Sequence, residues 1–143
     1  MRKRNLMILW LAALMAGACH FESFDERCAR ETREYTQKQC PRRLDEHTIM
    51  DSTVYDTDTR TITYYYTFVG ELDNVSQPTE EITRLLREQL RKNVVNSVEL
   101  KAYKEKGLSF CYRYRSQSTG KELFNVLIGP EDYGTGERPK TEE

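Results

Sequence analysis

The chain has 143 residues, 22 Lys plus Arg against 23 Asp plus Glu, and 38% hydrophobic residues. The near-neutral balance supplies no basic surface of the kind nucleic acid requires, and the length supports one modest core, not two. Seven glycines and four prolines exclude a collagen-like or linker-type chain, while nine Tyr and five Phe argue for a folded domain.

The first element is a targeting segment. Arg2, Lys3 and Arg4 make a cationic start, and residues 6–18 carry no charge. As a helix this run reaches roughly 20 Å, short of the ~30 Å hydrocarbon core of a bilayer. It ends in small residues directly before a cysteine. Ala16-Gly17-Ala18-Cys19 resembles the lipobox of bacterial lipoprotein precursors, with Ala where that family favours Leu. The resemblance implies that residues 1–18 are a signal peptide cut before Cys19, and that Cys19 carries a diacylglyceryl thioether. Acyl chains contribute about 0.8 kcal/mol per buried methylene, so the protein would sit on a membrane through lipid without spanning it. His20, not Asp, follows the cysteine, which by the same resemblance implies the outer membrane, facing the periplasm. The alternative is an ordinary secretory signal whose cleavage site precedes a cysteine.

Without residues 1–18 the chain keeps 19 basic against 23 acidic side chains, a formal charge near −4. That disfavours recruitment to anionic lipid. Residues 19–40 read as a lipidated tether and short helix, with Phe21, Phe24, Cys28 and Tyr35 on a helical stripe that Cys40-Pro41 ends. Residues 41–130 read as one α+β domain. Strands at 48–55 and 60–69 flank the turn formers Asp56-Thr57-Asp58-Thr59. After a loop at 70–77, a helix over 79–98 starts at the Thr79 cap, with Ile82, Leu85, Leu86, Leu90, Val94 and Val98 on its apolar face. Arg84, Arg87, Arg91 and Lys92 occupy its solvated face. Strands at 108–115 and 123–128 form a second hairpin around 116–120. Residues 131–143 have no apolar periodicity and read as a disordered tail.

The expected architecture is an N-terminal helix followed by ββαββ, a four-stranded antiparallel sheet with the amphipathic helix on one face. That helix would cover Ile62, Tyr64, Tyr66, Phe68, Phe110, Tyr112 and Tyr114. The N-terminal helix would lie partly across the opposite face, with Thr63, Tyr65, Cys111 and Arg113. This arrangement, with its Tyr-rich strand and Cys-Tyr-Arg-Tyr-Arg run, is similar to small exported domains of Gram-negative bacteria, a resemblance that implies no activity.

With Cys19 lipidated, Cys28, Cys40 and Cys111 allow one internal disulfide. Cys28 and Cys40 would lie about 18 Å apart along a helix, too far to bridge. Cys40 with Cys111 is the expected pair, closing a loop worth roughly 4 kcal/mol; Cys28 with Cys111, or no bridge, remain open. His20 and His47 are the only histidines, and no CxxC, paired-His or Gly-rich phosphate motif occurs, so no catalytic residue, metal or cofactor is assigned. Asp56 and Asp58 read as turn chemistry, not a calcium site. Tyr65, Arg113 and Arg115 form a candidate binding surface for a sugar or peptide. The expected function is a non-enzymatic, lipid-anchored accessory or binding domain of the envelope with a protein partner and no nucleic acid. The alternatives are a thiol-dependent enzyme using Cys111, Cys28 or His47, and an immunity-type lipoprotein.

Overall fold

The computed structural model describes residues 21–74 and 78–134, so the expected signal peptide, Cys19, His20 and most of the expected tail lie outside the described residues. Helix α1 (Phe24–Gln39) opens on a capping box: Ser23 Oγ accepts from the Glu26 N–H, and the Glu26 carboxylate accepts from the Ser23 N–H. It ends at Cys40, before a proline that has no N–H to continue the ladder. A two-residue strand β1 (Arg42–Arg43) leads into the hairpin of β2 (Thr48–Asp56) and β3 (Thr61–Phe68). A 3-10 turn at Gly70–Asn74 follows. Helix α2 (Glu80–Asn96) begins where Thr79 Oγ1 accepts from the Ile82 N–H. A short α3 (Lys101–Glu105), then β4 (Ser109–Ser116), β5 (Glu122–Ile128) and α4 (Pro130–Tyr133) follow among the described residues.

The sheet has five strands in the order β1-β2-β3-β4-β5. It is mixed, not antiparallel as expected: β3 and β4 run parallel, with Ile62 beside Phe110 and Tyr64 beside Tyr112. The reason is the connection. Helix α2 has 17 residues and so runs ~25 Å, about the ~26 Å length of the eight-residue β3. It carries the chain back to the end where β3 began, so β4 starts beside Thr61. A crossover of this length is what parallel pairing requires.

Both long helices pack on the same face. Helix α1 lies against β2 and α2 against β5. Cys28, Ile62, Leu90, Val94, Leu108, Phe110, Val126 and Ile128 form the core between helices and sheet. The expectation that α1 crosses the opposite face is therefore corrected. Its apolar stripe of Phe24 and Cys28 joins the core that α2 builds, and the Thr36 hydroxyl ties it to Thr53 of β2, accepting from the N–H at 2.8 Å and donating to the C=O at 2.9 Å. Two further corrections follow. On α2, Leu90 and Val94 are buried and Leu86 half-buried, whereas Ile82 and Leu85 are 46% and 55% exposed; Val98, 83% exposed, lies beyond the end of the helix. At the C-terminal end, residues 130–133 are helical, not frayed: Arg87 donates to Asp132 at 2.8 Å, and the Tyr133 hydroxyl donates to the Leu108 carbonyl at 2.6 Å.

Candidate binding cleft

The parallel register brings like residues together across β3 and β4. Tyr64 stacks on Tyr112 with ring centroids 5.2 Å apart, Tyr66 on Tyr114 at 4.8 Å, and Phe68 on Tyr114 at 4.9 Å. Because α1 stands over β2 and α2 over β5, this aromatic ladder forms the floor between the two helices. Tyr64 and Tyr66 are only half-buried there. Desolvation pushes the phenols of Tyr64, Tyr66 and Tyr112 far above their ordinary range, and that of Tyr114 up to about 12. All four therefore stay neutral near physiological pH. The exposed Ile82 and Leu85 lie about 140–160° around α2 from Arg87, which faces β5, so they stand on the flank turned away from that strand.

At the Tyr64 end the floor borders a cavity of about 360 Å³ lined by Glu31, Thr32 and Tyr35 of α1, Met50, Tyr64, Glu99 and Tyr103. Such a volume is within the range of small-ligand sites. The Tyr103 hydroxyl donates to Glu31 at 2.9 Å, and burial followed by this bond raises its phenol to about 12. Arg27 approaches the other Glu31 oxygen at 4.0 Å. Glu99 is exposed at the rim and makes no ion pair among the described residues. The sequence signal for this site was slight: Glu31 and Tyr35 are spaced four apart on one face of α1, but nothing linear joins them to Glu99 and Tyr103.

The opposite face of the sheet is open. It brings Tyr65, Arg113 and Arg115 together around a cavity of about 370 Å³. The Arg113 guanidinium lies 5.6 Å from the Tyr65 ring centroid and its Nε donates to Glu122 at 2.6 Å. Arg115 donates to Thr67 at 2.9 Å and sits 3.5 Å from Asp51, to which Thr67 donates at 2.7 Å. Both arginines thus already have carboxylate partners within the protein.

The thiols are not brought together. Cys28, Cys40 and Cys111 are unbridged, which corrects the expected Cys40–Cys111 pair. Cys40 precedes β1 and Cys111 lies on β4, three strand spacings or on the order of 14 Å away. Nor can His47 serve Cys111: the His47 carbonyl pairs with Val69, whereas Cys111 pairs with Thr63, ~20 Å back along β3. Burial raises all three thiols above the ordinary thiol range. In the Asp56 turn the carboxylate accepts from the Asp58 and Thr59 N–H groups. On α2, Arg91 and Lys92 share Glu88. No group of three metal-ligating side chains occurs among the described residues.

Residues 23–124 match a domain of unknown function, DUF8479. The chain belongs to this family. No curated protein matches it. Among solved structures, this DUF8479 chain is similar to a Pseudomonas aeruginosa protein described as secreted, at 10% identity and a TM-score of 0.60, covering 77% of this chain and 96% of that one. It is also similar to the type II secretion system pilotin AspS of Vibrio cholerae, at 13% identity and a TM-score of 0.52, covering 76% of this chain and 90% of that one. At these identities the likeness concerns the fold, which extends over 77% and 76% of this chain.

Proposed function

We propose that this DUF8479 protein is a lipid-anchored accessory protein of the bacterial envelope, and that it holds a segment of another envelope protein in the cleft between α1 and α2 without chemistry on it. The observation that carries this reading is the cleft itself. An aromatic floor of Tyr64 and Tyr66 is left half-covered, and Ile82 and Leu85 stay in solvent on the adjoining helix. An incompletely covered aromatic floor beside exposed apolar side chains fits an interaction surface. The fold likeness to a protein described as secreted and to a secretion pilotin supports an envelope setting. The lipobox-like Ala16-Gly17-Ala18-Cys19 supports the anchor. The separation of Cys111 from His47 supports a role without nucleophilic catalysis.

The test places a photo-crosslinking amino acid at Leu85, beside the cleft, or at Val54, which is 50% exposed on the open face. Irradiated cells should give a discrete protein adduct from position 85 and none from 54. Equal adducts from both, or none from 85, would overturn the cleft as the partner site. Labelled palmitate should enter the wild type and be lost in Cys19→Ala; label persisting in that variant removes the anchor.

A further inference from the structure

The inference concerns the Tyr64 end of the cleft and rests on the reading of that cleft as a partner site. We propose that the cavity bounded by Tyr35, Tyr64, Tyr103, Glu31 and Glu99 is a cage for a cationic side chain, so that the bound segment carries a Lys or Arg at this point.

The cavity combines aromatic rings with carboxylates and has no basic side chain in its lining. Tyrosine rings attract a cation through their quadrupole, and the attraction grows as water is excluded. The two carboxylates supply formal negative charge from opposite walls, Glu31 from α1 and Glu99 from the segment after α2. An anionic group is disfavoured there by both carboxylates. A purely apolar side chain would desolvate Glu31 and Glu99 without giving either a partner, which costs more than it returns.

The site is incompletely satisfied from within. Glu31 already accepts from the Tyr103 hydroxyl, which holds its carboxylate at the cavity wall. Arg27 stands 4.0 Å away on the outer side, a loose contact between two half-exposed side chains that salt would screen. Glu99 has no cationic partner among the described residues. The open-face cavity is the contrast: there Arg113 and Arg115 are matched by Glu122 and Asp51, and nothing is left for a ligand charge. The size agrees as well, since about 360 Å³ admits a lysine or arginine side chain with its stem along Met50 and Ile62. The acidic excess of the chain beyond residue 18, 23 acids against 19 bases, favours approach of a basic segment.

The test uses the purified full-length chain in detergent and two neutral-backbone probes, Nα-acetyl-lysine methylamide and its isostere Nα-acetyl-norleucine methylamide, followed by amide NMR shifts. The lysine probe should perturb Glu31, Tyr64 and Glu99, and the norleucine probe should bind about tenfold more weakly. The double change Glu31→Gln with Glu99→Gln should bring the lysine probe down to the norleucine level, while Arg113→Ala leaves it unchanged. Equal binding of the two probes to the wild type, or perturbations centred on Tyr65 and Arg113, would overturn the cage whether or not the double variant folds. The crosslink at position 85 keeps the two readings apart. An undiminished adduct in the Glu31→Gln, Glu99→Gln background retains the cleft and removes the cage; no adduct in the otherwise native chain removes the cleft, whatever the probes do.

Discussion

Thr36 shows how much one hydroxyl can settle. Strand β1 covers only positions 49 and 50 of the outer edge of β2, so the stretch of β2 beyond Met50 has no strand beside it on that side. Thr36 fills the gap, accepting from the Thr53 N–H and donating to its carbonyl, while the Thr53 hydroxyl donates to the Thr32 carbonyl. One side chain thus satisfies a strand edge that would otherwise invite another chain, and fixes the position of α1. Thr36→Val keeps the shape and removes both bonds, so chemical denaturation should show a loss of about 1–3 kcal/mol. A change below a few tenths of a kcal/mol would mean that water replaces the hydroxyl without cost. At the start of the same helix Asp25 accepts from the Tyr55 hydroxyl at 2.5 Å and pairs with Arg60 at 3.4 Å, so both ends of α1 are held to the first hairpin by polar contacts.

Among the elements, the aromatic ladder has the most readable pH signature. The folded-state pKa of Tyr114, up to about 12, lies above the ordinary phenol value of roughly 10. Burial of the neutral phenol therefore stabilises the fold fully below that ordinary value, and the contribution is lost as pH rises through the folded value. In an alkaline titration followed by phenolate absorbance, the ladder tyrosines should ionise late, together with loss of structure. Simultaneous ionisation of all nine near pH 10 with the fold intact would contradict the buried ladder. The strands themselves were legible in the sequence because Ile62, Tyr64, Tyr66 and Phe68 alternate with threonines, and α2 because Thr79 caps a three-and-four apolar spacing. Strand direction was not legible: alternation is the same in either sense, and only the length of α2 against β3 decides it. The side of the sheet taken by α1 was equally hidden, since Phe24 and Cys28 require burial but do not say where. Tyr65, Arg113 and Arg115 could be placed together from alternation alone, whereas the Glu31 to Tyr103 contact, across 72 residues, leaves no local trace.

For the whole molecule, the domain does not stop at the last strand. Pro130 ends β5, and composition suggested that the chain frays from there, yet Tyr133 packs against the core and bonds to Leu108, a residue with no exposed surface. The signal was a single tyrosine among acidic residues, too little for any periodicity. Truncation after Gly129 removes this bond and the Arg87–Asp132 pair, and it should lower the melting temperature clearly; Tyr133→Phe alone should lose about 1 kcal/mol. A truncated chain that melts with the intact one would place the boundary back at the strand.

The parallel pairing of β3 with β4 also sets an order of events for a chain that emerges amino terminus first. The β2–β3 hairpin can form early, but its inner edge has no neighbour until residues 109–116 follow, so the central contacts are long-range and slow by their topology. Until then the tyrosines of β3 face no partner, and the half-sheet cannot close over a core. A polypeptide built this way completes its structure only once nearly all of its length has been made.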